Sequence, residues 1–108
     1  MESGEHGSGT TVRGAAVVWY CIGVDKPVAP TDPLPAPPDI PRGALVILEG
    51  RAPVWRYGLA FHALHASPAG ALATYDPRLG AVIIASPRRE FAPGETFDLT
   101  PPPREQND

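Results

Sequence analysis

The chain has 108 residues, which fits one domain, and a formal net charge of −3. It lacks the excess of basic residues that a general nucleic-acid binder needs, so binding to double-stranded DNA is not expected. The single cysteine, Cys21, excludes an internal disulfide and a cysteine-based zinc site. No apolar run approaches the ~20 residues of a membrane-spanning helix, and no secretory signal is visible, so we expect a cytoplasmic protein with no membrane partner.

Both ends of the chain have the composition of flexible tails. Residues 1–11 are rich in Gly, Ser, Glu and Thr, and residues 100–108 begin with three prolines within four residues and then turn polar. We therefore place one folded domain at residues 12–99. Inside it, the prolines of residues 26–43 remove backbone donors and exclude a helix or a central strand. This segment is predicted to be an extended surface connection.

The rest of the domain predicts strands and one helix. Apolar runs rich in β-branched residues favour two buried strands before the helix and two after it. The helix is expected over Pro53–Ala66. The predicted strands are Gly14–Val24, Ala44–Leu48, Ala71–Tyr75 and Gly80–Ala85, with a hairpin loop at Asp76–Gly80 and a short edge strand at Thr96–Leu99. The expected fold class is α/β (α+β), a single sheet of four or five strands packed on one or two helices.

Within the helix, one apolar stripe is predicted to face the core. Residues at helical spacing share one side of a helix. On this basis the stripe comprises Trp55, Leu59, His62, Ala63 and Ala66. His62 lies in the stripe and His65 in the last turn, three residues later. Two such histidines can ligate a metal or share acid–base work, or they can simply pack in the core and complement the helix dipole.

The turn before the helix is a candidate anion site. Backbone N–H groups at a helix start are unpaired and favour anions. Gly50 lets a ligand approach closely, Arg51 and Arg56 add positive charge, and Pro53 suits the first helical turn. The same residues also form an ordinary strand-to-helix turn. The sequence therefore leaves both a phosphate site and a plain turn open.

The hairpin loop carries a second candidate group. Asp76 can cap the turn with its side chain, or it can bind a metal or accept a proton. Arg78 can pair with a phosphate or remain solvated. The helix of about 14 residues rises about 21 Å, and the next strand returns roughly that distance, so His65 and Asp76 should lie about 20 Å apart at opposite poles. If both are catalytic, a second copy must complete the site.

The stretch from Gly50 to Ser86 resembles a known family, the CRISPR-associated ring nucleases of the Csx-three (Crn-three) type. The resemblance is carried by G-R-x-P-x-W at Gly50–Trp55 and by Y-D-P-R-L-G-A-V at Tyr75–Val82, with D-K-P-V-A-P upstream. It implies a small ferredoxin-like fold, akin to the CARF domains that sense cyclic oligoadenylates. It also implies homodimers that bind cyclic tetra-adenylate, with a tetramer or a head-to-tail filament as alternatives.

The resemblance implies an activity and assigns roles. The family cleaves cyclic tetra-adenylate in a manganese-stimulated reaction that switches off type III CRISPR signalling. Some members are described instead as manganese-dependent RNA deadenylating exonucleases. By motif, Asp76 matches the catalytic aspartate and His65 the catalytic histidine, with His62 as the alternative, and Asp76 and His65 are the expected Mn²⁺ ligands. Gly50, Arg51, Pro53, Trp55 and Arg78 are the expected ligand-binding residues.

One residue departs from the family pattern. Many relatives carry a histidine directly after the serine that ends the second hairpin strand, where this chain has Pro87 after Ser86. Proline has no group that ligates a metal or transfers a proton. The sequence therefore also fits a non-catalytic module that binds and sequesters the ring nucleotide.

Overall fold

The computed structural model describes residues 10–103, across which the chain forms six strands and one helix. In chain order these are β1 (Thr11–Val12), β2 (Ala15–Cys21), β3 (Leu45–Glu49), α1 (Val54–Leu64), β4 (Ala71–Asp76), β5 (Gly80–Ala85) and β6 (Thr96–Phe97). The four main predicted strands, the helix and the hairpin loop are therefore present. Most of the two predicted tails lies outside the described residues.

The strands form one mixed sheet whose spatial order follows the chain, from β1 to β6. β2, β3 and β4 are parallel, whereas β1, β5 and β6 pair antiparallel with their neighbours. Two crossovers link the parallel strands. Residues 22–44, which include the proline-rich segment, connect β2 to β3, and α1 connects β3 to β4. The proline-rich segment contains neither helix nor strand, as its prolines predicted.

Both faces of β3 are covered, so every residue of this central strand is buried. On one face, Val46 and Leu48 pack with Ala60 and Leu64 of α1. The other face carries Leu45 and Ile47 and packs with aromatic residues that follow β5. The partly buried Leu34 and Ile40 of the proline-rich segment join the helix-side cluster, and Phe91 and Phe97 join the other.

The expected architecture was wrong. Instead of four or five strands packed on one or two helices in a ferredoxin-like or CARF-like arrangement, residues 10–103 form a six-stranded sheet that curls into a half-barrel, with one short helix. Because the sheet curls, residues after β5 cover the face of β3 that does not contact α1, and no second helix is needed there. Arg13, after β1, donates from Nη2 to Glu95 Oε2 at 2.5 Å, and its guanidinium lies 4.8 Å from the Phe97 ring centre. These contacts tie the first strand pair to the last.

The predicted buried stripe of the helix was also wrong. The buried residues of α1 are Arg56, Ala60 and Leu64, whereas Leu59 and His62 are exposed. The helix is turned by one residue, about 100°, from the apolar stripe. An arginine occupies a buried position because its Nε donates to the Ile22 carbonyl at 2.9 Å. Residues 10–103 contain no helix long and apolar enough to cross a membrane.

Candidate functional site

The parallel strands end together at one edge of the sheet, which we call the carboxyl edge. It comprises Cys21, Glu49, Gly50, Arg51, Tyr75 and Asp76, together with the start of α1. Beyond the regular strands, Ile22 and Val24 donate backbone hydrogen bonds to the carbonyls of Glu49 and Arg51, each at 2.9 Å. In open sheets with parallel strands, ligands bind beyond the carboxyl ends of those strands.

The backbone at Gly50 needs glycine for a reason within the chain. Its φ is +116°, and a Cβ built there would lie 2.5 Å from the amide nitrogen of Gly23. Such a contact is too short for any other residue. Gly50 therefore allows the close approach of the β2 extension, which fixes the path of the turn that presents Arg51.

The start of α1 favours an anion. Pro53 is the N-cap residue, it offers no side-chain cap, and no acidic residue lies in the first turn. Arg51 is exposed and forms no ion pair with any residue in the described range 10–103. The unpaired N–H groups of the first turn and this guanidinium together produce positive potential at the carboxyl edge.

Arg56, in the first turn of α1, was expected to add positive charge at the anion site, and the sequence reasoning missed its burial. It is 5 % exposed, and its Nη1 is buried without a hydrogen-bond partner among residues 10–103. Its side chain connects the helix start to the end of β2 through the Ile22 carbonyl. Trp55, the neighbouring residue and a predicted ligand-binding residue, is only half-buried.

Two tyrosines of the carboxyl edge were also missed. Tyr57 donates its phenol hydrogen to the Gly50 carbonyl at 2.6 Å, and the ring of Tyr75 packs edge-on against Trp19 with centroids 6.0 Å apart. Burial raises the pKa of Tyr57, and the nearby Glu49 and Cys21 raise it further. The Tyr57 hydroxyl therefore remains a neutral donor at physiological pH. The signals for them were weak: Tyr75 is the first residue of the second family motif, and Tyr57 lies two residues after the first motif.

Asp76 ends β4 and caps the hairpin loop. Its Oδ1 accepts hydrogen bonds from the backbone N–H groups of Arg78 at 2.7 Å and Leu79 at 3.1 Å. The exposed guanidinium of Arg78 lies 3.9 Å from the same oxygen. These bonds fix the carboxyl group while leaving Oδ2 for another ligand, because Oδ2 makes no hydrogen bond within the described part of the chain.

Both candidate histidines lie away from the carboxyl edge. His62 and His65 are exposed, and His65 is the C-cap residue of α1. His65 lines a groove of about 340 Å³ together with Leu64, Ala69, Leu72, Ala85, Ser86 and Pro87. This groove lies at the start of β4 and the end of β5. The residue that departs from the family pattern, Pro87, is thus part of the same groove as His65.

The structure separates Asp76 from His65 within one chain. His65 lies at the start of β4 and Asp76 at its end, five residues along, which corresponds to roughly 16 Å of strand. The two predicted manganese ligands therefore do not form a site in a single chain. Residues 10–103 hold no group of three His, Cys, Asp or Glu side chains placed to bind a metal. One chain alone does not fit the manganese ion that the resemblance implies.

The fold and its edge thus define a small mixed-sheet domain with an anion-favouring helix start at one end and a histidine groove at the other. Comparison with known proteins identifies the family. Residues 21–98 match the family model described as CRISPR-associated protein (Cas_csx3), and the chain belongs to this family. An uncharacterized protein of Aquifex aeolicus (strain VF5) is 35% identical over 54 residues, 46% of this chain and 47% of the relative. The chain thus aligns with about half the length of this relative.

Proposed function

We propose that the protein is a ring nuclease, a phosphodiesterase that cleaves cyclic tetra-adenylate and so switches off type III CRISPR signalling. The observation that carries the proposal is the family match over residues 21–98, which include both motifs of the resemblance. The separation of His65 and Asp76 supports a site completed between two copies. Cyclic tetra-adenylate, which has fourfold chemical symmetry, suits a site built from repeated copies of one chain.

Binding would depend on the carboxyl edge. The uncapped start of α1 and the exposed Arg51 attract the phosphates of the ring. Arg78 adds a second exposed guanidinium, 87 % exposed, beside Asp76. Because these groups lie at the surface, the ring would be bound on the face of one copy and covered by another.

Cleavage would use the ribose of the substrate as the nucleophile. The 2′-hydroxyl attacks the adjacent phosphorus, the bond to the 5′-oxygen breaks, and the products are a 2′,3′-cyclic phosphate and a 5′-hydroxyl. His65 of one copy accepts the proton of the 2′-hydroxyl, and the departing 5′-oxygen takes up a proton from water. Asp76 of the adjoining copy orients this histidine or the ribose through Oδ2. Catalysis would therefore require two copies.

A second candidate function is a non-catalytic module that binds and sequesters the ring nucleotide. The presence of Pro87 in the groove of His65 favours it, because proline offers neither a ligand nor a proton carrier. This module would retain the binding residues of the carboxyl edge and lack turnover. Arg51→Ala should then weaken binding, whereas His65→Ala should leave it unchanged.

The test is incubation of the protein with labelled cyclic tetra-adenylate, with and without Mn²⁺, beside a linear oligoadenylate RNA. A ring nuclease opens the ring, a deadenylating exonuclease shortens the linear RNA, and a sequestering module binds the ring unchanged. His65→Ala should abolish ring opening, and His62→Ala is compared because it removes another exposed histidine from the same helix. Loss of ring opening in His62→Ala alone would assign the catalytic role to His62 instead. Absence of both binding and cleavage at micromolar protein would contradict the proposal.

A further inference from the structure

The groove that His65 lines, called the histidine groove below, has two walls that come from distant parts of the chain. One wall is formed by the end of α1 and the turn that follows it, with His65 and Ala69. The other is formed by the end of β5 and the residues after it, with Ala85, Ser86 and Pro87. A molecule that fills this groove is bordered by both walls, so the spacing between the walls determines how it meets His65.

Gly43 connects the two walls through its own backbone groups. Its N–H donates to the Pro68 carbonyl at 2.8 Å, on the side of His65. Its carbonyl accepts a hydrogen bond from Nη1 of Arg88 at 2.9 Å, on the side of Pro87. Arg88 and Gly43 therefore join the two walls by a chain of hydrogen bonds.

The side chain of Arg88 is itself held at several points. Its Nε donates to Glu90 Oε1 at 3.1 Å, and its guanidinium lies 5.9 Å from the centre of the Phe91 ring. Its stem passes over Gly70, where an added Cβ would lie 2.5 Å from Arg88 Cδ. Because a planar guanidinium donates in fixed directions, these contacts leave Arg88 little freedom to move.

Ser86 couples Arg88 to the groove wall. Its Oγ accepts a hydrogen bond from the Arg88 N–H at 3.0 Å, and its hydroxyl hydrogen can be donated to the Arg88 carbonyl at 2.8 Å or to the Gly70 carbonyl at 3.2 Å. Pro87, between them, has a φ that its ring restricts. The Ser86–Arg88 turn is therefore stiff, and the position of Arg88 determines that of Pro87.

We propose that Arg88 is a positioning residue, which through Gly43 fixes the spacing between the two walls of the histidine groove and so the position from which His65 acts. The role in cleavage rests on the proposed ring-nuclease function, whereas the control of the groove rests only on the contacts of Arg88. A misplacement of about 1 Å at a reacting group can reduce a rate about 100-fold. The proposed phosphate contacts lie at the carboxyl edge, away from this groove, so loss of the link should affect turnover more than binding.

The control of the groove is tested without substrate in Arg88→Met, which keeps the stem over Gly70 and removes both side-chain hydrogen bonds. The Gly43 amide should exchange with solvent at least about tenfold faster than in the wild type. The NMR signals of the Ala69 and Ala85 methyl groups, one from each wall, should shift. Arg88→Lys, which can keep one of the two hydrogen bonds, should give intermediate values.

Glu95→Gln is the matched control, because it also removes a hydrogen bond between an arginine and a glutamate but does not line the groove. It should lower Tm and leave the Gly43 exchange rate and the two methyl signals unchanged. Wild-type exchange and methyl signals in a folded Arg88→Met variant would overturn the inference.

The same variants are then assayed for cleavage of cyclic tetra-adenylate. We expect Arg88→Met to lower kcat by at least about tenfold while KM changes by less than about threefold, and Glu95→Gln to leave both unchanged. If the wild type cleaves the ring and Arg88→Met cleaves it at the same rate, the positioning role fails while the proposed function survives. If the wild type neither binds nor cleaves the ring, the proposed function fails, and the exchange and methyl measurements still decide whether Arg88 fixes the groove.

Discussion

Gly50 and Gly23 approach each other so closely that a Cβ on Gly50 would lie 2.5 Å from the nitrogen and 2.7 Å from the Cα of Gly23. The contact lies where β2 and β3 continue past their regular ends, held by the hydrogen bond from Ile22 to Glu49. This glycine pair determines how the chain leaves β3 and where it presents Arg51. The first residue of the family motif is therefore required by backbone packing, whatever ligand the site binds.

Gly50→Ala should destabilise the fold by about 2–4 kcal/mol, because it combines a strained positive φ with a clash against backbone atoms. Gly94→Ala is the matched control, since Gly94 also has a positive φ, of +89°, but no neighbouring atom of residues 10–103 lies within 4 Å of its added Cβ. The control should lose only about 1 kcal/mol. Chemical denaturation of both variants measures the difference. If both variants lose the same free energy of unfolding, the backbone near Gly23 shifts to accommodate the Cβ with little loss of stability.

We expect Arg56 to contribute to stability mainly through its buried stem rather than its charge. Arg56→Met keeps the length of the stem and removes the unpartnered Nη1, so we expect a change within about 1 kcal/mol of the wild type. Arg56→Ala leaves a cavity under the helix and should cost about 2–4 kcal/mol. Thermal and urea unfolding measure both. If methionine is as costly as alanine, the hydrogen bond to the Ile22 carbonyl dominates instead.

Arg56 also shows why the helix orientation could not be predicted. A count of apolar residues at helical spacing selects Leu59 and His62, because it ranks arginine as a surface residue. The structure buries Arg56 through one hydrogen bond to a carbonyl that is 34 residues away in sequence. No local pattern carries that information. The predicted buried face was therefore displaced by one residue, and His62 was wrongly expected in the core.

The strands were predictable to a larger extent. The runs at β2, β3, β4 and β5 are largely continuous apolar stretches, and the Asp76–Gly80 loop has the residues of a tight turn. β1 has two residues and exists only through its pairing with β2, so its sequence gives no signal. The curl of the sheet depends on long-range contacts such as Arg13 with Glu95. The separation of His65 from Asp76 followed from element lengths alone.

The contact between Arg13 and Glu95 should make stability depend on pH. The hydrogen bond from Arg13, aided by the Ala92 backbone N–H, lowers the pKa of Glu95 below its ordinary value of 4.5. A lowered folded-state pKa contributes stability above about pH 4.5 that is lost as the pH falls through the folded value. Glu95→Gln should therefore lower Tm at about pH 7, and the difference should disappear near pH 3. A Tm difference that persists in acid would assign the effect to packing.

Mixing two inactive variants tests whether the site is shared between copies. In the proposed ring nuclease, His65→Ala and Asp76→Asn should each abolish cleavage of cyclic tetra-adenylate. After random mixing, roughly a quarter of the interfaces would join an intact His65 to an intact Asp76, and activity should recover to that extent. Mixing His65→Ala with the double variant His65→Ala/Asp76→Asn is the control and should restore nothing. No recovery in the first mixture would contradict a site built from two copies.

Pro87→His tests whether the departure from the family pattern limits catalysis. The substitution places an imidazole at the rim of the groove that His65 lines, where it can transfer a proton or join a metal site across two copies. We expect cleavage of cyclic tetra-adenylate to rise by about tenfold or more, with a stronger response to added Mn²⁺. Pro87→Ala is the matched control, since it removes the proline without adding a functional group, and should leave the rate unchanged. An equal rise in both variants would show that removal of the proline's constraint on the backbone, rather than the added imidazole, increases the cleavage rate.

If neither variant cleaves the ring although both bind it, Pro87 does not account for the lack of turnover, and the sequestering module is favoured.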